Sequence, residues 1–498
     1  MSDTSSQPVT SVAQGELRGT TDRGVLAFLG VPYAAAPFGA NRMEPPRPAP
    51  VWDGVRAATA FGPTTPKADY PPQYQPLFPE VDIPGEDCLN LNVWTPATDG
   101  ALPVLVWIHG GSFMNGSGSV GEYNGAAFAR DGVVCVTINY RLGAEGFLYT
   151  GDDVANPGLL DQVAALEWVR DNIAAFGGDP GRVTVAGESA GAMSVTTLLS
   201  MPAAAGLFQQ AIAQSGAAAH TMGPEDGLKV AGFLAEALGV EPTREAIAAV
   251  DAERVAQAAA KLTEEVQTAP DPEKWGTIAM SLLPFMPTVD GTVVPRPPLE
   301  AIAAGQGSDV PLLIGSDKDE ARLFFVADGS IGAIDEATLI GAGGAYGLSG
   351  EAVDVYRHNR PDARPGDVLA ALVTDWFFRI PAVRVAEARA GTGARTWVYR
   401  FDFWSPALPD QLGACHAVEI PFAFDTLAEP STRARIGDDP PQSVADTTHA
   451  TWVNFISRGE PGWAQYDLDS RTTGVIDEKV EAVSDPAGDE RLLWDGVR

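Results

Sequence analysis

The chain has 498 residues, 45% of them hydrophobic and 20% charged, a globular profile with enough apolar side chains for a large core. Its 33 Lys and Arg stand against 65 Asp and Glu, a formal net charge of −32 that disfavours nucleic acid and anionic membrane surfaces as partners. Three cysteines, Cys88, Cys135 and Cys415, are too few for a dense disulfide framework, and no apolar run reaches transmembrane length.

The N-terminal residues 1–7 carry neither a basic segment nor an apolar one, so a secretory leader is not expected; a cytoplasmic protein with reduced thiols is. Residues 12–31 alternate short apolar runs with glycine and charge and predict small antiparallel strands at a sheet edge. Residues 32–84 are proline-dense with scattered aromatics, an irregular region placed to flank a pocket. Residues 86–94 alternate polar and apolar and read as a strand. Residues 103–109 form a continuous apolar run, expected of a central strand covered on both faces, and end in Gly110-Gly111-Ser112-Phe113. Residues 133–139 read as a second such strand, with Cys135 as a buried thiol. In residues 159–175, Leu159, Val163, Leu166, Val169 and Ile173 keep a helical period, which Gly177-Gly178-Asp179-Pro180 stops.

Residues 183–193 open as a short apolar strand and close as a helix start, with Gly187-x-Ser189-x-Gly191 between. That spacing fits a sharp strand-to-helix turn that holds its serine in a strained conformation above the sheet edge, the flanking glycines removing Cβ clashes. Residues 211–216 are the next strand, 224–283 an alanine-rich helical insertion, 310–315 and 396–403 further strands, and 448–457 a late helix. The alternation predicts an α/β protein, a doubly wound, mostly parallel central sheet with helical insertions, as one domain over residues 1–498.

A serine hydroxyl near pH 7 needs a general base, and the base needs an orienting acid. Of five histidines, His109 ends a strand beside the Gly-Gly turn, His220 follows a strand without a glycine-flanked loop, His358 sits among charges and His449 lies in a helix. His416, in the short loop Gly413-Ala414-Cys415-His416, is favoured as the base. Three acids compete after the strand at 310–315: Asp317, Asp319 and Glu320, and spacing alone does not choose among them. The ester oxyanion needs preorganised N–H donors; His109-Gly110-Gly111-Ser112 matches an HGGG-type loop, and Ala190, after the serine, would supply a further N–H.

With these motifs stand Phe28-Leu29-Gly30-Val31-Pro32-Tyr33, Glu86-Asp87-Cys88-Leu89-Asn90, Asn139-Tyr140-Arg141-Leu142-Gly143, Gly315-Ser316-Asp317-Lys318-Asp319-Glu320 and His416-Ala417-Val418-Glu419. Together they resemble the type-B carboxylesterase/cholinesterase family, nearest its bacterial para-nitrobenzyl-esterase-like members, over almost the whole length. The resemblance implies an α/β-hydrolase fold and a serine carboxylesterase with Ser189, Glu320 and His416 as triad. It implies oxyanion donors at Gly111, Ser112 and Ala190 with Gly110 shaping the loop, and a supporting network of Glu188, Ser215 and Glu419. It implies structural ion pairs of Arg42 with Glu86 and of Arg141 with Asp161, and a pocket lined by Phe113, Leu323 and Phe324. Tyr70, Tyr74 and Phe78 would close the mouth.

The upstream cysteine that extracellular members pair with the E-D-C-L cysteine is absent; Thr65 stands there, so Cys88 is expected free. The expected partners are small-molecule esters, short- to medium-chain acyl and aryl, acting without cofactor or metal, on a monomer or weak homo-oligomer. A non-catalytic adhesion protein would lack the serine or the histidine. A lipase would need an amphipathic lid, and residues 64–85 are not clearly amphipathic.

Overall fold

Along the buried runs of this chain, successive side chains leave opposite faces of one sheet, because the strand period is two. The computed structural model describes residues 7–498, so the reading of residues 1–6 as leader-free lies outside the described part. Among the described residues there are fourteen strands: β1 (Val9–Val12), β2 (Gly15–Arg18), β3 (Thr20–Asp22), β4 (Val25–Pro32), β5 (Val55–Ala57), β6 (Asn90–Thr95) and β7 (Leu102–Ile108) in the first part of the chain. They continue with β8 (Val134–Ile138), β9 (Gly178–Glu188), β10 (Gln210–Gln214), β11 (Leu312–Asp317), β12 (Thr396–Phe401), β13 (Thr472–Ile476) and β14 (Val480–Ser484). Val104, Val106 and Ile108 of β7 enter one core layer while Leu105 and Trp107 enter the other. Leu312 and Ile314 against Leu313 in β11 repeat the split.

Eleven strands form one sheet in the order β14-β13-β12-β11-β10-β9-β7-β8-β6-β4-β3. β8 through β13 in that order pair in parallel, and antiparallel strands finish both sides. β1, β2 and β5 make a separate three-stranded sheet. The chain leaves β8 and passes over β7 to reach β9. Such a reversal opens a crevice at the carboxyl ends of the strands, where open α/β sheets place their ligands. The fully buried helix Ala190–Ser200 and the helix Ile380–Ala390 contribute to one core layer, and the helix Gln442–Arg458 to the other. Among the described residues no helix is long and apolar enough to cross a membrane.

The expected elements fall close to their places, with physical reasons where they differ. β6 starts at Asn90 rather than at residue 86, because Cys88 N–H donates to Glu86 O and turns the chain first. The helix read at 159–175 is Pro157–Asn172, started by a proline at its first position and prolonged by a tight turn to Phe176, where left-handed Gly177 ends it. β13 and β14, joined by a short turn, were not among the expected strands. The helices Pro224–Leu238, Arg244–Ala248, Ala252–Thr268, Pro272–Trp275 and Ile278–Ser281 fill the stretch read as helical.

The expected Arg42–Glu86 pair is not formed. The turn at Cys88 leaves Glu86 exposed, and Arg42 instead meets the buried carboxylate of Glu145 at 2.6 Å and the carbonyl of Ala248 at 2.8 Å. Arg141 and Asp161 do pair, at 2.7 Å, both fully buried, with Asp161 also accepting the Arg141 N–H at 3.0 Å. Cys88, Cys135 and Cys415 are all buried and free. Arg141→Ala would strand a buried carboxylate, so it should cost about 3–5 kcal/mol in urea unfolding. A loss below about 1 kcal/mol would show the pair to be of little structural weight.

Candidate active site

β7 and β9 lie side by side with Ile108 opposite Gly187, so the residues after both strands emerge together. Ser189 follows β9 at φ 53°, ψ −122°, and the helix Ala190–Ser200 begins at the next residue. Side chains at the neighbouring glycines would prevent this. A Cβ on Gly191 would sit 2.0 Å from the Ile108 carbonyl oxygen, and one on Gly187 would sit 2.6 Å from the Gly191 backbone. A Cβ on Gly216, after β10, would sit 2.4 Å from the Ser189 carbonyl oxygen. The Ser189 N–H donates to Gln214 O at 2.9 Å, tying the turn to β10. Ser189 keeps 8% of its surface exposed while the helix behind it is buried.

The loop after β7 turns through three consecutive left-handed residues, Gly111, Ser112 and Phe113, at φ 106°, 55° and 61°. Among the described residues neither the Gly111 nor the Ser112 N–H donates to another group of the chain. Ala190, first residue of its helix, carries one of the N–H groups that a helix cannot satisfy internally. Gly110 lies against the elbow: a Cβ there would be 2.6 Å from a Glu188 carboxylate oxygen and 3.1 Å from the Ser189 Cβ.

His416 is buried, and its Nδ1 meets Glu320 Oε2 at 2.6 Å. Its Nε2 faces the elbow, 3.1 Å from Glu188 Oε1, the carboxylate beside Ser189; no hydrogen bond joins Nε2 to Ser189 Oγ in this conformation. Such contacts are commonly loose until substrate is in place. Glu320 takes the Asp317 N–H on its other oxygen at 2.9 Å. Of the three competing acids, Glu320 alone reaches the imidazole. Asp319 turns to the Ala414 N–H at 3.4 Å, and Asp317, read as part of a charged surface loop, is instead buried at the end of β11.

The other four histidines lie in different surroundings. His109 stacks on Tyr140 at 4.5 Å, and burial pushes it down to about 3. His220 is buried and likewise lowered to about 3 by burial, and His358 is exposed. His449 bonds Ala423 O and Asp131.

Burial pushes His416 down, but the charges of Glu188 and Glu320 and the Glu320 hydrogen bond outweigh it and lift the imidazole to about 9. Burial lifts Glu188 as well, to about 8, with help from Glu419 and Glu320 and against the pull of His416. The two groups compete for one proton, and while Glu188 holds it the imidazole loses one of the two charges that raise it. Ser215 and Glu419 of the expected network are both fully buried behind these groups.

Phe324, an expected wall residue, stands 5.7 Å from the His416 ring, and Tyr74 lies 6.3 Å from Phe324. Leu323 is fully buried, and Phe113 is fully buried against Phe147 in the core behind the loop. Tyr70 and Phe78 lie 5.6 Å apart, and Arg435, ion-paired with Glu122, holds the Leu77 carbonyl at 3.1 Å and covers Phe78. Phe378, its ring tilted against His416 at 4.7 Å, escaped the sequence reading. Its only signal there is the Trp376-Phe377-Phe378 run, which carries no spacing that points to a site.

Three substitutions test the electrostatics. Glu320→Gln should lower kcat/KM by about 10²-fold or more, with Asp319→Asn within about threefold of wild type. Glu188→Gln removes a charge that favours the imidazolium, so the acid limb of the kcat/KM profile should move down by about one pH unit. An unmoved limb would separate Glu188 from the base.

The chain matches the family model described as "Carboxylesterase family" over residues 6–484. It is 38% identical to the para-nitrobenzyl esterase of Bacillus subtilis (strain 168), covering 97% of each chain, and 37% identical to the phenmedipham hydrolase of Pseudarthrobacter oxydans, again over 97% of each. A crystal structure of a Geobacillus stearothermophilus carboxylesterase at pH 6.2 superposes with a TM-score of 0.85 at 38% identity, over 98% of this chain and 99% of that one. With its mostly parallel sheet this is the α/β-hydrolase fold, and the chain belongs to the carboxylesterase family, as a carboxylic ester hydrolase.

Proposed function

We propose that the chain is a serine carboxylesterase of one α/β-hydrolase domain with Ser189 as nucleophile, His416 as base and Glu320 as orienting acid. The observation that carries this reading is the 2.6 Å bond from His416 Nδ1 to Glu320, which turns Nε2 toward the elbow. Ser189 Oγ attacks the ester carbonyl carbon as its proton passes to His416 Nε2. Charge develops on the carbonyl oxygen, which takes N–H bonds from Gly111, Ser112 and Ala190 in the loop that Gly110 shapes. The tetrahedral intermediate collapses, His416 gives its proton to the departing alcohol, and the acyl group stays on Ser189. Water, deprotonated by Nε2, then releases the acid. Glu320 holds Nδ1–H throughout and stabilises the imidazolium. This chemistry uses side chains and backbone donors alone.

The substrate class follows from the walls. Phe324 and Phe378 flank His416, with Tyr74 in contact with Phe324. Aromatic walls suit uncharged acyl and aryl groups, and the net charge of −32 repels anionic esters at long range. We therefore assign short- to medium-chain acyl and aryl esters. The names of the two bacterial relatives, which refer to a para-nitrobenzyl ester and to phenmedipham, accord with that class. Three free buried thiols accord with a cytoplasmic setting.

Ser189→Ala should lower kcat by roughly 10⁴-fold or more while Tm holds. A fluorophosphonate should label Ser189 and no other serine; a label elsewhere, or near-normal turnover of the alanine variant, removes Ser189 from the role. In a para-nitrophenyl ester series kcat/KM should peak at short to medium acyl chains. A rise through sixteen carbons, with interfacial activation on triolein, would instead support a lipase.

A further inference from the structure

Behind Glu320 the protein buries two carboxyl groups that ester hydrolysis does not itself use. Asp317 ends β11 and Glu419 precedes the helix Ile420–Ala423, and they are 1% and 0% exposed. The supply of donors separates them from Glu320. Glu320 receives His416 on one oxygen and the Asp317 N–H on the other. Glu419 Oε1 receives Gln214 Nε2 at 3.0 Å, and Trp452 Nε1, donating to the Gln214 amide oxygen at 2.8 Å, fixes that amide's orientation. Glu419 Oε2 and both oxygens of Asp317 meet no donor of the chain. The two carboxyl groups lie within hydrogen-bond reach of each other.

Two ionised carboxylates at that separation, away from water, repel strongly, and each unpaired buried oxygen adds a desolvation cost. The surroundings offer little relief. Glu320, Cys415 and Tyr399 of β12 face the pair, with His416 and Glu188 beyond, and of these only His416 can carry positive charge. Arg435, the next cation, is ion-paired with Glu122. One proton removes the repulsion and supplies the missing donor together.

We propose that Asp317 and Glu419 share one proton, carried by Asp317 and donated to Glu419 Oε2, and that the pair is a positioning element for Glu320. It presents one negative charge rather than two behind the acid, and it fixes the Asp317 backbone whose N–H holds Glu320 Oε1. Burial, then the charges of Glu419 and Glu320, lift Asp317 well above its ordinary 3.8. Glu419 keeps the Gln214 donor whereas neither Asp317 oxygen has one, which favours the proton on Asp317. The positioning role rests on the esterase reading, whereas the proton assignment does not.

Infrared spectroscopy reads the proton without activity. At neutral pH the wild-type minus Asp317→Asn difference should show one lost C=O stretch of a protonated carboxylic acid. Glu419→Gln should keep that band, since Asp317 retains the proton and donates to the amide oxygen. A band unchanged by Asp317→Asn, or lost in Glu419→Gln, overturns the assignment. Because Asn replaces an already neutral group and keeps a donor, Asp317→Asn should leave the acid limb of kcat/KM in place. A limb displaced downward by about one pH unit would mean that Asp317 is ionised. Stability supplies the sign check. A raised pKa gives stability that is complete below 3.8 and is lost as pH rises toward the folded-state value. Tm of Asp317→Asn relative to wild type should therefore climb with pH above about 4; a flat difference contradicts the shared proton.

Discussion

The approach of Gly191 to the Ile108 carbonyl oxygen is the constraint on which the site depends. No side chain fits between them, since an added Cβ would stand 2.0 Å from that oxygen. The contact brings the helix Ala190–Ser200 down against the end of β7 and leaves Ser189 at φ 53°, ψ −122°. A residue held there costs about 1–3 kcal/mol, and it persists only because its surroundings over-determine it. Here they are the fully buried helix on one side and β10 on the other, whose Gln214 carbonyl takes the Ser189 N–H. The same contact puts Gly110, after β7, beside Ser189, so residues from two strands meet at the elbow.

Around this geometry the charge balance is unusual for a protein interior. Glu188, Glu320 and Glu419 are buried within reach of one imidazole, and Asp317 is buried beside Glu320 and Glu419. A single cation cannot neutralise four carboxylates in a low dielectric, so protons must remain on some of them. Burial raises Glu188, Asp317 and Glu419. Glu320 differs in its partners, having a backbone N–H on one oxygen and His416 on the other. The distribution of donors separates Glu320, supplied on both oxygens, from Asp317, supplied on neither.

Local patterns carried most of the fold. The buried runs of β7, β8 and β11 and the period of the helix Pro157–Asn172 are written within a few residues each. The elbow was legible for the same reason: glycines at fixed offsets are what its backbone needs. Spacing alone did not single out the acid among Asp317, Asp319 and Glu320; only the family resemblance pointed to Glu320. β11 runs two residues past the expected end, which draws Asp317 into the sheet and lets Glu320 reach the imidazole. Arg42 was misassigned because a turn at Cys88, set by one backbone hydrogen bond, faces Glu86 outward. Phe378 reaches His416 from a remote helical segment, a contact that no local period encodes.

In the proposed mechanism Ser189 carries the acyl group between two half-reactions. Rapid mixing with a para-nitrophenyl ester at high enzyme concentration tests it most directly. The account predicts a burst of nitrophenol equal to the enzyme present, followed by slower turnover, and in acid-quenched protein an acyl adduct on the peptide containing Ser189. Direct attack by water would give neither burst nor adduct, and a burst with the adduct on another residue would contradict the account as plainly.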